Sequence, residues 1–248
     1  FAAGRPVVAT IGNFDGVHRG HQGVLARLRE RAAQAGLPSC VVIFEPQPRE
    51  FFAPDKAPGR ISSLREKLEL LREAGVDRVL CLTFNRRLRE LSACQFVHQI
   101  LVEGLGVKHL EVGDDFRFGC DRTGDFALLV EAGAREGFTV ESAATIEQDG
   151  ERIRHVQSPD KARRRVRAAL AAGDFAEVGR LLGRPYCIAG RVLHGQKLGR
   201  QLGAPTANLR LNRLRPALSG VYLVSAEVDG RRLGGVANIG TRPRVQGD

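Results

Sequence analysis

The run Gly12-Asn13-Phe14-Asp15-Gly16-Val17-His18-Arg19-Gly20-His21 brings three glycines and two histidines together. Glycine has no Cβ, so the backbone at Gly12, Gly16 and Gly20 can approach a ligand closely. His18 and His21 lie three residues apart at the start of a helical pattern, a spacing that aims both imidazoles at one place. The amino terminus of that helix adds unpaired N–H groups and partial positive charge, which suits phosphate. Donors fixed in this way stabilise negative charge as it builds during phosphoryl or nucleotidyl transfer. The plainer alternative is a pair of surface histidines beside a turn. Metal binding is disfavoured, because no third ligand stands at useful spacing.

A second stretch, Gly190 to Asn208, carries Gly195, Lys197, Gly199 and Gly203 ahead of Pro205-Thr206-Ala207-Asn208. Glycines and a lysine before such a turn can form a backbone cradle for phosphate. The Thr206 hydroxyl and the Asn208 carbonyl oxygen are hard donors of the kind Mg²⁺ prefers. The segment is not a Walker A loop, and on its own it could be an ordinary glycine-rich loop.

The elements that must position these residues alternate. Val7–Ile11, Cys40–Phe44, Val79–Phe84, His109–Gly113 and a segment near 138–143 read as apolar strands. Between them lie helical patterns. Val24, Leu25, Leu28 and Ala32 share one face, Leu64, Leu68 and Leu71 are expected to face inward behind a Ser62–Ser63 cap, and 92–104 and 125–136 follow. Apolar strands alternating with helices predict an α/β, Rossmann-like parallel sheet. A basic helical segment over 160–182 leads into short strands with no helices between them, including Ile188–Leu193 and Val221–Val228 followed by the hairpin signal Asp229-Gly230. These predict a small antiparallel β-barrel. The expected domains are therefore 1–183 and 184–248.

Composition narrows the class. Apolar residues make up 43% and charged residues 27%, which excludes a wholly disordered or fibrous chain. No apolar run approaches the ~20 residues that cross a bilayer, and no secretory leader is recognisable. Five scattered cysteines without C-x-x-C spacing predict reduced packing residues in a cytoplasmic protein. The net charge of +10 suits an anionic ligand, although the basic stretches 151–184 and 210–215 also read as a solvated face or linker. The chain starts at Phe1 and has no methionine, so residues missing from this sequence are expected in the translated protein.

The first run resembles the H-x-G-H nucleotidyltransferase superfamily, and the longer string G-N-F-D-G-V-H-R-G-H-Q resembles its flavin branch, the bacterial bifunctional riboflavin kinase/FAD synthetases. Phe44-Glu45-Pro46-Gln47-Pro48, Ser63-Leu64-Arg65-Glu66-Lys67 and Val112-Gly113-Asp114-Asp115-Phe116-Arg117-Phe118-Gly119 are similar to further motifs of that family. The resemblance implies that His18 and His21 hold the ATP phosphates and stabilise the transferring α-phosphate. It implies ATP contacts from Gly12, Asn13, Phe14, Asp15, Gly16 and Arg152, and a flavin pocket lined by Pro46, Pro48, Phe52, Asp115 and Phe118. No protein nucleophile is implied: the FMN phosphate attacks ATP directly, and positioning with charge stabilisation supplies the catalysis.

The second stretch resembles the riboflavin kinase signature G-x-x-x-G-x-P-T-A-N, and Gly234–Pro243 is similar to another motif of that module. This implies kinase ATP contacts from Gly195, Lys197, Gly199 and Pro205, with Thr206 and Asn208 on Mg²⁺. Two departures stand out. The family's R-I-S-S-T-x-x-R segment is replaced by Arg152-Ile153 and a basic stretch, with the pattern resuming at Arg165-Val166-Arg167. The kinase likeness also stops before the family's carboxyl-terminal glutamate.

The implied reactions are riboflavin plus ATP to FMN, then FMN plus ATP to FAD and pyrophosphate, each with Mg²⁺. The expected partners are riboflavin, FMN and ATP, with no nucleic acid or membrane, and with self-association left open. The rivals are another H-x-G-H nucleotidyltransferase with a different phosphate-bearing acceptor and a basic RNA-binding or regulatory protein with degenerate catalysis. Aromatics are few and not interleaved with the basic runs, which argues against a nucleic-acid stacking platform.

Overall fold

Strand β1 (Val7–Ile11) is buried along its whole length. It lies at the centre of a five-stranded parallel sheet of order β3-β2-β1-β4-β5, where both faces are covered and an unbroken apolar run is required. The other strands are β2 (Ser39–Glu45), β3 (Arg78–Thr83), β4 (Val107–Val112) and β5 (Thr139–Ser142). The computed structural model describes residues 4–143, 145–148, 151–154, 159–193 and 206–240, with backbone alone for 145–148, 151–154 and 159–160.

Helix α1 (Arg19–Ala35) buries Val24, Leu25, Leu28 and Ala32 and ends on Gly36 in the left-handed conformation. Gly36 accepts that conformation without the Cβ penalty other residues meet. Helices α2 (Pro48–Phe52), α3 (Leu64–Glu73), α4 (Arg86–Arg89), α5 (Ala93–Phe96) and α6 (Phe126–Glu136) complete the series, and a π-helical segment, Val97–Gly104, extends α5. The period-2 alternation of β1 divides the core. Val7, Ala9 and Ile11 pack with Phe96, Leu101, Leu110 and Leu129 on one face, while Val8 packs with Leu25, Leu28, Ile43 and Leu71 on the other. Each fully buried leucine contributes about 1.5–3 kcal/mol relative to exposure.

A hairpin not expected from the sequence, β6 (Thr145–Gln148) and β7 (Glu151–Arg154), precedes helices α7 (Pro159–Ala172) and α8 (Phe175–Leu182). Beyond them, the barrel-like region is built as antiparallel pairs. Strand β8 (Arg191–Leu193) pairs with β9 (Asn208–Arg210), and β10 (Gly220–Val228) pairs with β11 (Arg231–Ile239). Asp229 and Gly230 both take positive φ at the β10–β11 turn, as a tight hairpin demands. Val166, Leu170, Val178 and Leu182 form a third core with Ile61 and Leu218, so residues on both sides of position 183 share one apolar cluster.

Three expectations change. Leu68 is exposed, and the fully buried neighbour on α3 is Lys67. Among the cysteines only Cys40 is buried, so packing does not account for Cys81, Cys94 or Cys187, which are exposed. The basic stretch over α7 is not uniformly solvated, because Arg167 turns inward to pair with Asp15.

Candidate active site

The strand order reverses beside β1, whose neighbours are β2 and β4. In such sheets the loops leaving the two diverging strands open a crevice beyond their carboxyl ends. The loop after β1 is Gly12–His18, and the loop after β4 begins at Gly113, so the two richest motifs flank that crevice.

Within the first loop, Phe14 (φ 45°), Gly16 (φ 78°) and Val17 (φ 38°) all occupy the left-handed region. A positive φ is unfavourable for a β-branched residue such as Val17, and surrounding packing must hold it there. Asp15 supplies much of that hold. Its fully buried carboxylate accepts N–H bonds from Ile61 at 3.1 Å and Ser62 at 3.0 Å, and it pairs with Arg167 Nη2 at 2.7 Å. The Gly16 N–H donates to Ser62 Oγ at 2.9 Å. A Cβ on Gly16 would lie 2.5 Å from Ile61 Cγ2, so this close approach requires glycine. The Asp15 carboxylate therefore organises the loop from behind, fully engaged by protein donors.

His18 caps α1, its Nδ1 accepting the His21 N–H at 3.3 Å. That bond fixes the neutral tautomer with the proton on Nε2. The two imidazoles stack with centroids 3.7 Å apart at 17°, and Phe14 packs on His21 at 4.8 Å. Burial first, then the coupling to His18 and the positive charge of Arg163 and Lys67, holds the His21 pKa well below its ordinary value. His21 is thus neutral near pH 7, and its buried Nδ1 has no hydrogen-bond partner among the described residues.

Cations surround this pair. Arg163 lies one helical turn before Arg167, on the same face of α7. Burial and the adjacent Arg167 lower Arg163 to about 10. Lys67 is fully buried with its Nζ lacking a hydrogen-bond partner among the described residues. Burial pulls its pKa down against the attraction of Asp15. Surroundings that penalise so much positive charge are suited to receiving an anion.

Beyond β2, the Glu45–Arg60 and Glu50–Arg60 ion pairs clamp the loop carrying Pro46 and Pro48, and Gln47 caps α2 in a capping box with Glu50. Phe52 is exposed and forms an edge-to-face group with Phe51 and Phe84, with the Arg89 guanidinium 5.4 Å above its ring. Phe118, by contrast, is buried in the core against Phe96 and Phe116. Asp115 is exposed on the loop after β4 and lies near enough to Arg163 to bear on its charge. Asn13 is half-buried in the first loop, and the Gly12 N–H donates to Val42 O at 3.1 Å. Arg152 lies on β7, where backbone alone is described.

In the second region, Thr206 and Asn208 are exposed, with Asn208 opening β9. Gly195, Lys197, Gly199 and Pro205 lie outside the described residues. Sequence reasoning did not single out Arg163 or Lys67. The i, i+4 spacing of Arg163 and Arg167 was the available signal for the former, whereas Lys67 entered only as the end of the Ser63–Lys67 motif, with nothing in the helical periodicity to turn it inward.

Comparison with known proteins agrees with this geometry. A family model described as FAD synthetase matches residues 2–157, and one described as riboflavin kinase matches 182–248. A bifunctional riboflavin kinase/FMN adenylyltransferase from Pseudomonas fluorescens is 65% identical over 98% of this chain and 76% of its own length. The protein of that description from Escherichia coli (strain K12) is 51% identical, over 97% of this chain and 74% of its own. A solved structure described as a macrolide-efflux protein from Streptococcus pneumoniae aligns with a TM-score of 0.69 at 27% identity, over 96% of this chain and 76% of that one. No helix among the described residues is long and apolar enough to cross a membrane. With both family models matched in tandem on a sheet that carries the histidine pair at its switch point, the chain belongs to the bifunctional riboflavin kinase/FMN adenylyltransferase family.

Proposed function

We propose that this chain phosphorylates riboflavin to FMN and then joins FMN to the adenylyl group of ATP, making FAD and pyrophosphate. The observation that carries the reading is the stacked, neutral His18–His21 pair at the amino terminus of α1, set in the crevice beside β1. In the adenylyl step an FMN phosphate oxygen attacks the α-phosphorus of ATP. One oxygen–phosphorus bond forms, and the bond from that phosphorus to the bridging oxygen breaks, releasing pyrophosphate. His18 Nε2–H and His21 donate to the phosphate oxygens as charge grows on them. The Gly12–Gly16 backbone and the amino terminus of α1 add donors, and Arg163 supplies charge to the polyphosphate.

Pro46, Pro48 and the exposed ring of Phe52, backed by Phe51 and Phe84, form an apolar wall for the isoalloxazine. Asp115, exposed on the loop after β4, would meet the flavin from that loop. In this reading Phe118 supports that wall through the core and does not touch the flavin. Asp15 acts on ATP only through the loop it organises.

For the kinase step, Thr206 and Asn208 would hold Mg²⁺. Both offer exposed hard oxygens, which fits a cation that keeps several waters and takes its remaining ligands from phosphate. Mg²⁺, when bound, neutralises phosphate charge. Gly195, Lys197, Gly199 and Pro205 would contact the kinase nucleotide, and Arg152 the adenylylation nucleotide. We place the module boundary at 183/184 and the enzyme in the cytoplasm.

The test is incubation with ATP, Mg²⁺ and either riboflavin or FMN, followed by chromatographic separation of the flavins. FAD formed from FMN supports the first module, and FMN formed from riboflavin supports the second. Absence of FAD from FMN would overturn the central assignment.

A further inference from the structure

We propose that Arg213, on the segment between β9 and β10, is a positioning residue for adenylyl transfer, so that the first site is completed by residues of the second module. The inference rests on the functional reading above and extends it. The Arg213 side chain is 0% exposed. Its Nη2 donates to Glu66 at 2.6 Å, and its Nη1 donates to the Ile61 carbonyl at 3.1 Å. Glu66 also accepts the N–H of Ser63 and the N–H of Ala189, each at 2.6 Å. Tyr186 adds a hydroxyl bond to the Ile61 carbonyl at 3.1 Å.

The backbone makes the same junction. The Arg60 N–H donates to the Arg215 carbonyl at 2.9 Å, and Arg60 bridges Pro216 in parallel register. A Cβ on Gly59 would stand 2.4 Å from the Pro216 oxygen, so the two segments meet with no room for a side chain there.

What Arg213 grips is the hub of the first site. Residues 59–63 donate to Asp15 through the Ile61 and Ser62 amides and hold Gly16 through the Ser62 hydroxyl. On the other side, Arg60 clamps Glu45 and Glu50 beside the proline-bearing flavin loop. One short segment thus touches the phosphate loop and the flavin rim together, and its outer edge is bonded to Tyr186, Arg213 and Arg215. Loss of a charged hydrogen bond there should let the hub open more often. A small displacement of reacting groups lowers rate steeply.

The experiment uses the full chain and compares Arg213→Met, Arg213→Lys and Tyr186→Phe with the parent. Amide hydrogen exchange is followed at Gly16, Ile61 and Ser62, and KM for ATP and kcat are measured for FAD formation from FMN, per folded molecule and well below the melting transition. The expected result for Arg213→Met is roughly tenfold faster exchange at these amides. KM for ATP should rise or kcat fall by about tenfold, partly restored in Arg213→Lys. Tyr186→Phe should show a smaller change in the same direction. A purely structural role would lower the folded fraction and leave per-molecule kinetics alone.

Exchange and kinetics within twofold of the parent in Arg213→Met would overturn the proposal. If that variant does not fold, Tyr186→Phe decides, since it removes one hydroxyl and keeps the ring. If the parent forms no FAD, the functional reading falls by itself, and exchange still decides whether Arg213 holds the hub.

Discussion

Replacing Lys67 with methionine should make the protein more stable and a poorer adenylyltransferase. Methionine keeps the length of the stem and removes an ammonium that is fully buried without a hydrogen-bond partner among the described residues. An unsatisfied buried polar group costs about 1–3 kcal/mol. Against this stands the lost attraction to Asp15, but that carboxylate keeps Arg167 at 2.7 Å and the Ile61 and Ser62 amides. The balance is about 1–2 kcal/mol of stabilisation, which raises Tm by about 2–8 °C in a chain of this size. Lys67 is one of the charges that depress His21, behind burial, His18 and Arg163, so the His21 pKa should rise in the variant. With one cation fewer near the phosphate site, FAD formation from FMN should fall about tenfold. Thermal melts, an NMR titration of the His21 ring and the flavin assay read the three effects. A Tm drop of more than about 2 °C would refute the reasoning, because it would mean that the amine makes a stabilising bond.

Two further outcomes follow from buried charge. Asp15→Asn breaks a buried pair and should cost about 3–5 kcal/mol, lowering Tm by about 6 °C or more; a change under 1 kcal/mol in denaturant melts would remove Asp15 as the loop's anchor. Glu111, on β4 and 2.6 Å from Arg27, is raised by burial to about 7. A raised carboxyl contributes stability that is present below about pH 4.5 and is lost as pH rises through 7. The parent should therefore lose roughly 3 kcal/mol from this group across that window. In Glu111→Gln that part of the slope should vanish, and an unchanged slope would count against the assignment.

The parallel sheet was legible because the two central strands β1 and β2 are nearly unbroken apolar runs and α1 repeats its apolar face at helical spacing. The His18–His21 pair was legible for a related reason: His18 caps the helix by accepting the His21 N–H, so local spacing carried the geometry. Lys67 was hidden because periodicity assigns the inward face to Leu64, Leu68 and Leu71, whereas the helix is rotated so that Leu68 faces solvent and the lysine faces Asp15. Phe52 and Phe118 could not be told apart from sequence. Both are phenylalanines in motif-like runs, yet one is exposed beside Phe51 and Phe84 and the other is packed against Phe96 and Phe116. The contacts of Arg213 and Arg215 with residues 54–66 span about 150 positions of chain, and no local pattern encodes a partner that far away.

The most direct measurement follows label from the α-phosphate of ATP. With FMN and Mg²⁺ present, the label should appear in FAD, with one pyrophosphate released for each FAD formed. His18→Ala should reduce that transfer by at least about a hundredfold while the circular dichroism spectrum is retained. Label that stays in ATP with the parent protein, or transfer that continues unchanged in His18→Ala, would contradict the assignment of the stacked histidines as the centre of adenylyl transfer.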